Sequence, residues 1–416
     1  MPRPSFLRLP SALFTSAALF LATVGALPAC DRVPDAAGGS ASARPSGAPE
    51  GGPANDRAAS NDRGSAALTN ASGTPASAAP SGTATAPSGS TASAKSPAIA
   101  ADPAAAARAA EIAKDPPHPV SGRGAGLVGP VDPGLDAEWI ARMASAEIAE
   151  ITPNKGGSSV SMRVKFADGK KAALKPEQTG RPTDPRSEIA GYHLDRLLGF
   201  GRTAAVVGRR FDMGQIRAAL VASKAEPAFL DRLEKLVVKD GRVDAALIAW
   251  HTAPLVEEET APAWIAPLAT REAVSKEAVP KLAEWSDLVV FDFLVDNPDR
   301  YSGGNILRLD KGGPIVFLDQ GAAFGKGRLA QGLTTKDKLE KVCRFRPETL
   351  DVLKKVGSSA AKDDKLGARL QKSLARDPIA PVLDDAQLAG VDDRVRALEA
   401  DVRACSAKLG AAHLLR

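Results

Sequence analysis

The chain has 416 residues with 54 basic and 49 acidic side chains, a net charge of +5 too mild to mark a nucleic-acid-binding protein. Three cysteines exclude a disulfide-framework miniprotein. No run of 18 apolar residues occurs after residue 30, which excludes an all-membrane protein.

The first thirty residues read as an export signal. Arg3 and Arg8 supply the positive region, and Leu9 to Leu27 supply the apolar one. The segment ends in Leu27-Pro28-Ala29-Cys30, which resembles the bacterial lipobox, where a small residue precedes a cysteine that is lipidated and becomes the new N-terminus. An ordinary signal peptide, or a single anchor helix with a chance cysteine, is the alternative. The lipobox reading places a lipoprotein signal peptide at residues 1–29. It predicts a protein held to a membrane by a lipid on Cys30, outside the cytoplasm, periplasmic or at the cell surface.

Residues 30–123 read as a disordered tether. From Asp31 to Val120 there is no Phe, Tyr or Trp, and the text is Ala, Ser, Pro, Gly and Thr. Such a stretch has too little apolar bulk to offset the entropy of ordering it. Asp102-Pro103 can cap a short alanine-rich helix to about Lys114, expected to be transient. The folded domain is expected over residues 124–416, long enough for one large core or a two-lobed domain.

Within it, Val160 to Phe166 alternates as a strand, Ala167-Asp168-Gly169 turns, and Lys171 to Lys175 returns until Pro176 stops it. Ahead lies the turn Asn154-Lys155-Gly156-Gly157-Ser158-Ser159. The N–H groups around Gly156 and Gly157 can lie on phosphates; otherwise the segment is simply a turn. Asp184-Pro185 opens a helix with Ala190, Leu194, Leu197 and Leu198 on one buried face, closed by Gly199. Glu188 falls off that stripe. It is either a carboxylate favourable to the helix N-terminus or a partner for Lys175 at the end of the preceding strand. Residues 215–282 read as helices and loops without firm placement, and Leu282 to Val295 as a helix. His118, His193, His251 and His413 do not cluster and read as structural or exposed.

The most informative passage runs from Val290 to Gly321. Ile306 to Leu309 and Pro314 to Leu318 form a hairpin in which Leu309 opposite Pro314 puts Asn305 opposite Leu318. Asn305 and Asp319 then share one open end, with Asp299 in the loop before. A carboxylate, an amide oxygen and a second carboxylate at one rim suit Mg²⁺ or Mn²⁺ on a nucleotide's phosphates. The same residues also suit turns. Gly321 allows close backbone approach.

Asn-x-Asp-Arg, then Asn, a hairpin and Asp-x-Gly resemble the catalytic and metal loops of atypical kinases. Phe291-Asp-Phe-Leu-Val-Asp-Asn-Pro-Asp-Arg300 is similar to the hallmark string of the secretory-pathway kinases of the four-jointed and Golgi casein kinase family. Ala172-Ala-Leu-Lys175-Pro176 is similar to that family's nucleotide-lysine strand, and Glu188-Ile-Ala-Gly-Tyr-His-Leu-Asp-Arg-Leu-Leu-Gly-Phe200 to its glutamate helix. The three motifs stand in the family's order.

The resemblance implies an α+β, bilobal protein-kinase-like fold, with a small β-rich lobe from about Ala137 to Arg210 and a larger helical lobe after it. It implies metal-dependent phosphoryl transfer from ATP or another nucleoside triphosphate, with Mn or Mg, to a hydroxyl of a protein or glycan. Lys175 would hold the α/β-phosphates and Glu188 would orient it. Asp299 would accept the hydroxyl proton, and Asn305 and Asp319 would bind metal. Two departures mark this chain: Tyr301 stands where many relatives carry histidine, and Asn305 follows Asp299 by six positions, one more than the commonest kinase spacing. A nucleotide-binding pseudokinase and a structural surface lipoprotein are the rival readings. Cys343-Arg344-Phe345-Arg346 resembles the family's cysteine segment after the metal loop. With Cys30 lipidated, this implies a bridge between Cys343 and Cys405, the alternative being two free thiols.

Overall fold

Strand alternation builds the first layer. In the computed structural model, β1 (Ile148–Pro153), β2 (Met162–Phe166) and β3 (Lys171–Pro176) form an antiparallel meander with Met162 opposite Leu174. Gly169 turns the hairpin at φ +84°, where a side chain would be strained. The structure describes residues 97–101, 103–114, 117, 133–154, 159–179, 183–237, 241–250, 254–258, 262–300, 304–309, 313–325 and 339–416, all within the unit Ser88–Arg416. The signal segment, Cys30, Tyr301 and the turn glycines Gly156 and Gly157 lie outside the described residues.

Two further strands complete the sheet. β4 (Val206–Asp212) and β5 (Arg242–Ala249) pair with each other, and β5 inserts beside β3, giving the order β1-β2-β3-β5-β4. The small lobe therefore extends beyond Arg210 to Ala249. β5 escaped sequence reading because it is covered on both faces: Ala245, Ala246 and Leu247 are all fully buried, which erases the period of two. Its alanines also carry helix propensity that burial in the sheet overrides.

Helix α3 (Pro185–Leu198) lies against this sheet. Asp184 caps it by accepting the Arg186 N–H, and Gly199 ends it at φ +75°. Its burial is nearly complete rather than one-sided, because the sheet covers one flank and C-terminal helices another. Glu188 is thus drawn into the interior.

The expected tether also contributes to the fold. Helix α1 (Pro103–Lys114) packs on α2 (Pro133–Ser145), burying Ala109 and Ile112, and Ile99 pairs with Ile148 of β1. Composition concealed this because alanine gives little apolar bulk per residue, yet its small side chain allows close helix approach. Residues 97–101 and 103–114, expected to belong to a disordered stretch, are therefore part of the fold.

The second lobe centres on helix α7 (Val279–Val295), buried from Leu282 onward apart from half-buried Glu284. Before it come α4 (Met213–Ala222), α5 (Pro227–Leu236), β6 (Leu255–Glu257) and α6 (Pro262–Ala269). After it, β7 (Ile306–Leu309) and β8 (Ile315–Phe317) pair with Ile306 opposite Phe317, the register read from sequence, and β6 extends them to three strands. Helices α8 (Pro347–Val356), α9 (Leu366–Leu374) and α10 (Asp385–Leu409) complete the lobe. Cys343 and Cys405 are disulfide-bonded, 5.0 Å apart at Cα. Among the described residues no helix is long and apolar enough to cross a membrane.

The segment after α9 reaches back to the sheet. Asp377 accepts N–H groups from Gly208 of β4 and from Ile379, each at 3.0 Å, and a Cβ on Gly208 would lie 2.3 Å from its carboxylate. Burial pushes the Asp377 carboxyl up to about 6 against the pull of those amides, with Asp244 adding repulsion and Arg186 opposing it.

Two measurements probe these contacts. Cys405→Ser opens a loop of 62 residues and should cost about 4 kcal/mol, read as a lower denaturation midpoint. A folded pKa above the unfolded value means that protonated Asp377 favours the fold. Its contribution is complete below about pH 4 and is lost as pH rises through about 6. Urea titrations from pH 4 to 7.5 should show a decline on the order of 3 kcal/mol that Asp377→Asn removes.

Candidate active site

The site begins with one lysine between two carboxylates. Lys175 at the end of β3 places Nζ 2.6 Å from Glu188 Oε1 on α3 and 2.9 Å from Asp319 Oδ1 beyond β8. The side chains of Glu188 and Lys175 are 4% and 15% exposed, whereas that of Asp319 is 41% exposed, so the acid opens to solvent on one side. Burial works against the Lys175 ammonium, but Asp319 and Glu188 outweigh it and hold its pKa above the ordinary lysine range. For Glu188 burial dominates and pushes the carboxyl up, with Lys175 pulling the other way. Asp319 is held below the usual carboxylate range, chiefly by Lys175.

The loop after α7 joins this group through its backbone. Asp296 ends the helix at φ +54°, and Asn297, fully buried, bridges two positions. Its Oδ1 accepts the Asp299 N–H at 3.1 Å, and its Nδ2 donates to the Asp319 carbonyl at 3.0 Å. Asn305 Nδ2 donates to the Asp299 carbonyl at 2.9 Å. Asp299, Asn305 and Asp319 are thereby tied into one hydrogen-bonded loop cluster, and Lys175 and Glu188 reach it through Asp319.

Sequence reading left four of the supporting residues without a role. Arg300, fully buried, donates Nε to Asp292 on α7 at 3.1 Å and Nη1 to the carbonyls of Asn305 and Leu318. It fastens both strand ends that carry Asn305 and Asp319. The signal for this pair was Asp292 itself: a carboxylate inside an apolar helix needs a buried partner. Asn297 and Gln320 carried no such signal, because their work is done through backbone groups brought near only by folding. Gly321 meets Thr183, whose Oγ1 would lie 2.4 Å from a Cβ there, and its carbonyl accepts the Asp184 N–H. His193 lies buried against Ser373, and burial lowers its pKa to about 3, so it serves structure.

Metal fit rests on donor chemistry. Among the described residues no group of three or more His, Cys, Asp or Glu could hold an ion alone. A hard cation shared with phosphates needs only one or two carboxylates from the protein. The carboxylate of Asp319 and the amide oxygen of Asn305 are donors of that kind.

A small sheet with a buried lysine–glutamate pair, joined to a helical lobe whose loops carry the acids, is the arrangement of kinases. The sequence model described as Golgi casein kinase, C-terminal, Fam20, matches residues 125–225 and 259–414, and the chain belongs to that family of atypical kinases. Human glycosaminoglycan xylosylkinase is 24% identical over 64% of this chain and 74% of its own length. Human extracellular serine/threonine protein kinase FAM20C is 24% identical over 64% of this chain, which spans about half of that relative, 54%. A crystal structure of the Golgi casein kinase with Mn/ADP bound superposes with a TM-score of 0.54 at 20% identity, covering 68% of this chain and 79% of the other, and shares the fold.

The lysine pair gives a direct test of the geometry. Lys175→Met leaves the buried Glu188 without its cation and should cost on the order of 3 kcal/mol in a urea melt. Adding Glu188→Gln should recover part of that loss, because the amide oxygen still accepts the Gln320 N–H. Strictly additive losses would refute the coupling.

Proposed function

We propose that the chain transfers the γ-phosphoryl group of a nucleoside triphosphate to a hydroxyl of a protein or glycan outside the cytoplasm, with Mn²⁺ or Mg²⁺ as cofactor. The Lys175–Glu188–Asp319 constellation carries the reading, because a buried ammonium held charged by two acids is a ready seat for phosphate oxygens. Family membership supports phosphoryl transfer, and the names of the two relatives supply both acceptor classes.

Lys175 binds the α- and β-phosphates, and Glu188 holds its ammonium in place. Asp319 and Asn305 hold the metal, whose chemistry is to neutralise charge on the transferring group. Gly156 and Gly157 offer backbone N–H groups to the phosphates. Asp299 accepts the acceptor hydroxyl's proton as the new O–P bond forms and the bond to the β-phosphate oxygen breaks. The protein contributes position and charge rather than a covalent intermediate. Anchoring through a lipid on Cys30 keeps the domain at an extracytoplasmic membrane surface, tethered by the stretch after it.

The test has two arms on purified protein. ADP with Mn²⁺ should raise the melting temperature, and labelled ATP should transfer phosphate to a dephosphorylated protein panel or a xylose-bearing glycan. Asp299→Ala should keep the nucleotide shift and lower transfer by 10²-fold or more (roughly). Shift without transfer by the wild type supports the pseudokinase reading; no shift at all supports the structural one.

A further inference from the structure

Gln320 occupies the position immediately after Asp319, and the residue is 2% exposed. Every polar group on it is engaged. The backbone N–H donates to Glu188 Oε2 at 3.0 Å, and Oε1 accepts from Asn297 Nδ2 at 2.9 Å. Nε2 donates to the carbonyls of Phe317 and Leu318 at 3.0 and 3.1 Å. Asp319, between these anchors, has φ +54°, a backbone conformation that a residue with a side chain adopts only when its surroundings impose it.

The room for this amide comes from α3. Gly191 stands one turn beyond Glu188, and a Cβ there would lie 2.7 Å from Gln320 Cγ. A glycine inside a helix weakens it, so the missing side chain answers a packing demand rather than a helical one. One glycine and one glutamine thus dock the helix bearing Glu188 onto the loop bearing Asp319.

We propose that Gln320, seated against Gly191, is the positioning residue for the metal-binding carboxylate: its side-chain amide pins the carbonyls before Asp319 and the amide of Asn297, and so keeps Asp319 turned toward Lys175 and the cation. The proposal rests on the nucleotide–metal reading of the site. It assigns Gln320 no contact with metal or nucleotide; the residue acts through Asp319. An outer residue that orients a metal ligand typically changes metal affinity by roughly 10- to 100-fold when removed.

Mn²⁺ titrations of the full chain saturated with ADP, with free Mn²⁺ read by electron paramagnetic resonance, test this without turnover. Gln320→Met fills a similar volume beneath Gly191 but makes none of the three side-chain hydrogen bonds. It should weaken Mn²⁺ binding about 10- to 100-fold, with circular dichroism and ADP binding without metal little changed. Gly191→Ala, which pushes on Gln320, should weaken Mn²⁺ binding in the wild-type background and have a much smaller effect once Gln320→Ala has removed the Cγ that would lie 2.7 Å away, leaving only Cβ at 3.1 Å. This second comparison decides the matter if Gln320→Met fails to fold. Mn²⁺ affinity unchanged in Gln320→Met, or a Gly191→Ala effect undiminished beside Gln320→Ala, overturns the proposal while wild-type binding keeps the nucleotide reading intact. Wild-type protein that takes up no Mn²⁺ with ADP overturns both.

Discussion

One buried ammonium organises this molecule. Lys175 comes from the sheet, Glu188 from the helix packed on it and Asp319 from the loop after the second lobe's hairpin, and the three meet within 3 Å contacts. A carboxylate as buried as Glu188 stays ionised only with a cation beside it, and the lysine in turn is kept charged by the pair. The relative placement of strand, helix and loop is therefore an electrostatic requirement as well as a packing outcome.

Around that centre, backbone groups do most of the positioning. Asn297, Arg300 and Gln320 bind carbonyls and amides of Asp299, Asn305, Leu318 and the residues beside them, so these loop residues are held through their backbone. Preorganisation of this kind suits phosphoryl transfer, where little covalent work falls to the protein.

Outside the site, the two lobes are joined by contacts that are also buried and polar. Asp377 grips the outer edge of β4, and Arg108 of α1 donates to the carbonyl of Pro378. The segment before the expected domain boundary thus contributes to the same junction. An alanine-rich helix can do so because it needs only a narrow apolar stripe, here Ala109 and Ile112, to dock.

Local chemistry in the chain was enough for the hairpin at Gly169, both caps of α3 and the β7–β8 register. Each of these follows from turn residues, alternation or motif within a few positions. Three features needed the folded chain: β5 between β3 and β4, α1 on α2, and the brackets formed by Asn297, Arg300 and Gln320. In each, the deciding partner is distant in sequence, whether a second sheet face, a neighbouring helix or a carbonyl on another loop. Neither propensity nor spacing carries information about a neighbour that only long-range packing supplies.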